Sequence, residues 1–282
     1  MNILILGGTA LAKQLAQALS QVHGIHVTYS IAGRVRQPNL NCAVISGGFS
    51  QYAANDQCPR FLKTSLADNN CHHDGLFHVC KQQAIDLIID ATHAFAAAIS
   101  RQAWQTSITT KIPFWRLHHL PWPTSDALQR WQYESMEGVL EAVTQHRING
   151  QIFLALGQLD KSTVDALSRF SNSEKKGSSV SYLLRSIHAP VQLPEKCHWI
   201  SDIGPFDLSA EIALLKQHNV QAIICKNSGA TSSEAKLTAA TELNIPVFML
   251  ARPTLHSAQR TFSELSACLR AVQHFQDLNN AL

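Results

Sequence analysis

Short apolar runs rich in Val, Ile and Leu alternate along this chain with longer segments whose apolar residues recur at helical spacing, the pattern of βαβ units carrying parallel sheets. In the first half the pattern predicts strands over 3–6, 26–30, 43–45, 87–89 and 114–117. Between them Leu11, Leu15, Ala18 and Leu19 keep helical spacing, as do Phe95, Ile99 and Ala103. A second series begins after the turn dipeptide Asn149-Gly150. Its strands are expected over 152–156, 181–184, 198–200, 222–225 and 247–250, and its helices near 161–170, 208–218, 232–243 and 258–275. The expected fold class is therefore α/β, as two units spanning 1–125 and 126–282, with the boundary within 118–150. Segments 53–74 and 171–179 break the pattern and read as a surface insertion and a polar loop.

Composition agrees with this picture and narrows the partners. At roughly 150 residues per domain, 282 residues make about two domains. With 45% hydrophobic and 15% charged residues the chain is globular rather than disordered. Its net charge of +3 is too small to argue for nucleic acid or a membrane surface as a partner. The most apolar run, 87–99, is broken by Asp90 and His93, short of the ~18 apolar residues of a membrane span. The N-terminus, MNILILGGTALAK, has no basic leader region and runs straight into a strand, which points to a cytoplasmic protein. Seven cysteines without paired spacing read as free thiols in a reducing compartment.

Candidate chemistry sits where predicted strands hand over to helices. Gly7, Gly8, Thr9 and Ala12 follow the first strand and match G-x-G-x-x-G/A with Thr9 in the middle glycine's place. Small residues there let a dinucleotide's phosphates approach main-chain N–H groups at a helix N-terminus. The Thr9 hydroxyl suits either a helix cap or a phosphate. Strand two ends in Tyr29-Ser30-Ile31-Ala32-Gly33-Arg34 without the acid that holds the ribose hydroxyls in NAD sites. Ser30 and Arg34 therefore favour NADPH, with NADH the alternative.

After the fourth strand comes Asp90-Ala91-Thr92-His93-Ala94-Phe95-Ala96. Ligands of open α/β sheets bind beyond the strands' carboxyl ends, which puts Asp90 and Thr92 at the crevice, with helix capping as their other role. His93 reads equally as a loop histidine and as a ligand contact. In the second half, Gly204-Pro205-Phe206-Asp207 precedes a helix that Asp207 caps, with Glu211 opening its polar face. Lys226-Asn227-Ser228-Gly229 follows the strand at 222–225. A lysine beside small hydrogen-bonding residues suits a carboxylate ligand, or else snorkels from the strand end. Cys71, His72, His73 and Cys80 fit no zinc spacing, so no metal is expected.

Taken together, GGT at residue 7, AGR at 32, DATHAFA at 90, IGPFD at 203 and KNSGA at 226 resemble, in order and spacing over nearly the whole chain, the precorrin-6A reductase family of cobalamin biosynthesis. The resemblance implies two Rossmann-like domains with a cleft between them, and NAD(P)H-dependent reduction of a double bond in a corrin-precursor ring. It assigns Gly7, Gly8, Thr9 and Arg34 to the nucleotide, and the DATHAFA and KNSGA segments to the cleft. The chain departs from the family at Ala94, where Pro is common, and after Gly157, where Gln158 replaces an arginine. A polycarboxylate tetrapyrrole needs cations, for which Arg116, Arg185 and Lys226 stand at or near strand ends, and His93 is the titratable group placed nearest the ring. A non-catalytic NAD(P)-binding sensor is the other reading. A short-chain dehydrogenase is disfavoured, because none of the four tyrosines begins a Tyr-x-x-x-Lys pair.

Overall fold

The computed structural model describes residues 1–32, 39–52, 73–172 and 180–280. The chain divides into two compact units, Met1–His119 with Thr254–Leu282, and Leu120–Pro253.

In the first unit the chain runs β1 (Asn2–Leu6), α1 (Ala10–Leu19), β2 (His26–Ile31), β3 (Ala43–Ser46), α2 (His73–Gln82), β4 (Leu87–Asp90), α3 (Ala97–Thr110) and β5 (Phe114–Leu117). The second unit follows with β6 (Arg130–Tyr133), α4 (Met136–Gln145), β7 (Gly150–Ala155), α5 (Lys161–Asn172), β8 (Val180–Ser186), β9 (Cys197–Ser201), α6 (Leu208–Gln217), β10 (Val220–Lys226), α7 (Ala235–Glu242) and β11 (Val247–Leu250). The chain then returns to the first unit as β12 (Arg260–Phe262) and α8 (Leu265–Asn280).

Each unit holds one six-stranded sheet, ordered β12-β5-β4-β1-β2-β3 and β6-β11-β10-β7-β8-β9, and every strand pair is parallel. Both are doubly wound and Rossmann-like. Alternate residues of each strand feed opposite faces, and both faces are covered, so the strands read as continuous apolar runs. Ile3, Ile5, Val27 and Ile89 pack with Leu15 of α1 and Val272 of α8, whereas Leu4, Leu6 and Ile88 pack with Leu76 of α2 and Ala103 of α3. In the second sheet, Ile152, Leu154 and Leu184 meet α4 and α5, while Phe153, Leu183 and Ile223 meet α6 and α7.

The edges correct the sequence reading. The division falls after His119, at the start of the 118–150 range, and the rest of that range holds β6 and α4 of the second unit. Segment 258–275, taken as one helix of the second domain, is instead β12 followed by α8, and both complete the first unit. The first sheet thus takes its sixth strand from the segment that follows the second unit. A three- or four-residue edge strand carries too little periodicity to announce its sheet, and its partner lies more than a hundred residues away. The cysteines described, Cys42, Cys80, Cys197, Cys225 and Cys268, are free thiols, and burial pushes those of Cys80 and Cys268 up to about 12. No described helix is long and apolar enough to cross a membrane.

Deleting residues 254–280 strips β12 from β5 and uncovers the α1 side of the first sheet. Hydrogen exchange is expected to rise on the order of tenfold or more in β5 and α1, while β7 and β10 keep their protection.

Candidate functional site

In the first sheet the strand order changes direction between β1 and β4, the switch point at which open α/β sheets bind ligands. Leu6 and Asp90 are paired across it, and Ala91 N–H donates to the Leu6 carbonyl at 2.9 Å. The Gly7–Thr9 turn and the DATHAFA loop therefore leave the sheet side by side.

The turn is built from below. Gly7 N–H donates to the Ser30 carbonyl at 2.8 Å, and Gly8 N–H donates to the Tyr29 hydroxyl at 2.9 Å. A Cβ on Gly7 would stand 2.2 Å from the Tyr29 ring, so this glycine is required by packing against β2. Gly8 has a φ of +111° with open space around it, and backbone conformation alone demands glycine there. Thr9 caps α1, accepting from Ala12 N–H at 3.0 Å, and its hydroxyl donates to the Ala91 carbonyl at 2.8 Å. The side chain that replaces the middle glycine is thus folded back, tying the turn to the neighbouring loop. Ser30 is buried within β2, and Arg34 lies outside the described residues.

Asp90 does not cap α3, whose N-cap is Ala96 without a side-chain bond. Fully buried, its carboxylate accepts from Thr92 N–H at 3.2 Å, from the Thr92 hydroxyl at 2.6 Å and from the Ser100 hydroxyl at 2.6 Å. Arg116 Nε stands 3.5 Å away and His118 Nε2 3.7 Å away. Burial by itself would raise the carboxyl's pKa, but His118, Ser100 and Thr92 outweigh it and hold the group well below the usual carboxylate range. Arg116, expected as an open substrate cation, is committed to this network. Its other nitrogens donate to Ser100 Oγ at 2.9 Å and to the His256 carbonyl at 3.0 Å, which anchors the returning chain. His93 is exposed on the same loop, its Nδ1 accepting from Phe95 N–H at 3.3 Å.

In the second unit, Arg185 also turns inward. It pairs with buried Glu211 at 2.7 Å and lies 3.6 Å from the centre of the Phe206 ring, so the IGPFD segment is clamped by cation–π contact as well as by the Asp207 cap on α6. Glu211 is accordingly buried rather than part of a polar face.

The KNSG loop is braced from behind. Asn227 is buried, accepting from Trp122 N–H at 2.7 Å and donating to the Trp122 carbonyl at 3.1 Å and to Gln132 at 2.7 Å. This amide holds Trp122 and Gln132 together, a structural task that the sequence does not announce. Arg252, which the sequence reading passed over although it follows a strand end, donates to the Asn227 carbonyl at 2.9 Å and the Ser228 carbonyl at 2.8 Å. At φ +67°, Gly229 would place a Cβ 1.8 Å from the Leu120 carbonyl, so no other residue fits. Lys226 closes β10 with Nζ donating to the Leu156 carbonyl at 2.9 Å, beside the loop where Gln158 replaces the family's arginine. Burial lowers the Lys226 pKa, and Asp160 opposes that shift.

The family described as precorrin-6x reductase CbiJ/CobK matches residues 2–65 and 52–273. A precorrin-6A reductase of Rhodococcus erythropolis is 31% identical over 273 residues, covering 96% of this chain and 97% of the relative. One of Mycobacterium tuberculosis is 30% identical, covering 90% of each chain. A cobalt-precorrin-6A reductase of Methanothermobacter thermautotrophicus is 26% identical over 91% of this chain and 78% of its own. The solved structure of a CobK precorrin-6A reductase superposes with a TM-score of 0.76 at 25% identity, covering 97% of this chain and 96% of that one.

Replacing Asp90 by Asn leaves the Arg116 guanidinium buried without its counter-charge and should cost about 3–5 kcal/mol of stability. Because the folded carboxyl titrates below the unfolded one, its contribution is present above about pH 4 and is lost as pH falls below that. Thermal melts between pH 3 and 7 test this: the wild type should lose stability toward the acid end more steeply than Asp90→Asn.

Proposed function

The chain belongs to the CbiJ/CobK precorrin-6x reductase family, and from that premise we propose that it is an oxidoreductase reducing a ring double bond of precorrin-6A or cobalt-precorrin-6A to the dihydro product. The observation that carries the reading is the Gly7–Thr9 turn at the switch point of the first sheet, opening α1. The turn suits a dinucleotide, since open space surrounds Gly8, no acidic residue lies in the first turn of α1, and the helix N-terminus is positive. A nicotinamide dinucleotide bound there supplies the hydride for a corrin-precursor ring. This chain's own residues shape the turn and its neighbour. Thr9 joins them through Ala91, and Asp90 and Thr92 hold the DATHAFA loop so that His93 stands exposed beside the cofactor turn. His93 is the candidate to position or protonate the ring.

NADPH is favoured over NADH, because β2 ends in Tyr29-Ser30-Ile31 without an acid and Arg34 follows three residues later. At the end of β10, Lys226 is the candidate cation for a substrate carboxylate, its Nζ oriented by the Leu156 carbonyl, with Ser228 and Gly229 beside it on the braced loop. A tetrapyrrole polycarboxylate fits that chemistry.

Turnover of precorrin-6A and of its cobalt form with each cofactor tests the function, and no reduction of either would overturn it. Arg34→Ala should erase most of the preference for NADPH, read as the ratio of the two cofactors' kcat/KM values; an unchanged ratio removes Arg34 from the site. Lys226→Ala should raise KM for the tetrapyrrole roughly tenfold or more, the worth of a charge-assisted contact, while NADPH affinity stays the same. Wild-type KM in that variant would return Lys226 to a purely structural role.

A further inference from the structure

Every main-chain donor of the cofactor turn can be accounted for. Gly7 N–H goes to the Ser30 carbonyl, Gly8 N–H to the Tyr29 hydroxyl, Ala12 N–H to Thr9 Oγ1 and Lys13 N–H to the Thr9 carbonyl. The amides of Thr9, Ala10 and Leu11 have no partner among the described residues. In a turn of this kind, the amide after the first glycine would ordinarily be available to phosphate. Here a tyrosine from the neighbouring strand occupies it.

Tyr29 is well placed for that task. It is fully buried under the turn, its ring filling the space that a Gly7 Cβ would need. Its hydroxyl therefore meets the Gly8 peptide from the protein side, opposite the open space around Gly8. Burial raises the phenol's pKa, so the group stays neutral across the physiological range. Nothing else on the turn restrains Gly8, whose φ of +111° belongs to the most mobile residue type.

We propose that Tyr29 is the positioning residue of the cofactor turn: by holding the Gly8 N–H inward it fixes the peptide geometry that presents the Thr9, Ala10 and Leu11 amides to the cofactor's phosphates. This assignment rests on the reading of the turn as the dinucleotide site. It also explains how the chain tolerates Thr9 in place of the middle glycine: phosphate approaches the amides of Thr9 and the two residues after it, while the Thr9 side chain is folded toward Ala12 and Ala91.

Two measurements test it. In amide NMR of the wild type, titration with NADPH should move the Thr9, Ala10 and Leu11 resonances strongly and Gly8 least. In Tyr29→Phe, which keeps the ring and hence the packing, the NADPH dissociation constant should rise about fivefold, within the range of one lost hydrogen bond. The Gly8 amide should then shift and exchange faster in the free protein, a change that a loss of general stability would spread over the whole of β1 and β2. A Gly8 shift as large as that of Ala10 in the wild type, or an unchanged or tighter dissociation constant in Tyr29→Phe, overturns the role of Tyr29 and leaves the site standing. NADPH binding that moves none of these amides overturns both the role and the reading of the turn.

Discussion

A carboxylate shut away from water must be matched by donors from the surrounding protein, and meeting that demand at Asp90 organises the functional end of the first unit. Asp90 closes β4 with no solvent exposure, so the chain after it has to curl back and supply Thr92, α3 has to bring Ser100, and β5 and the residue after it have to present Arg116 and His118. The guanidinium in turn reaches the His256 carbonyl and so fastens the segment that returns from the other unit. A buried pair of this kind is weak evidence for net stability, but its geometry is demanding, and demanding geometry is what a loop at a ligand site requires.

The remaining site features depend on that scaffold. With the DATHAFA loop fixed, the Ala91 carbonyl becomes a firm anchor for Thr9, and Thr9 couples the first helix to the fourth strand. Tyr29 supports the same turn from β2. The second unit uses the same logic with different groups: Asn227 and Arg252 hold the KNSG backbone from behind, and Gly229 lets the Leu120 carbonyl pass close by. In both units the residues that define a motif by eye mostly shape the loop, while few face outward to meet a ligand.

The return of β12 to the first sheet adds a constraint of another kind. β6 leaves the connection between the units to pair with β11, and β12 returns to pair with β5. The first sheet is complete only once the chain has returned as β12, which raises the sequence separation of the contacts that close it and links the two units covalently at both ends of the second.

The central strands of both sheets, the Gly7-Gly8 turn, the Asp207 cap and the loops at strand ends were legible from the sequence, because a parallel sheet covered on both faces writes its core as apolar runs and its switch point as small residues. The same local rules named Arg116, Arg185 and Asn227 as ligand contacts without foreseeing the partners the fold gives each of them. Whether a strand-end cation faces a ligand or a buried acid depends on partners such as Asp90 and Glu211, placed 26 residues from each arginine in the sequence. Tyr29 under the turn, Arg252 behind the KNSG loop and the returning β12 left no periodic or motif signal. Each is defined by a contact between segments distant along the chain, and packing of the finished sheets alone brings such segments together.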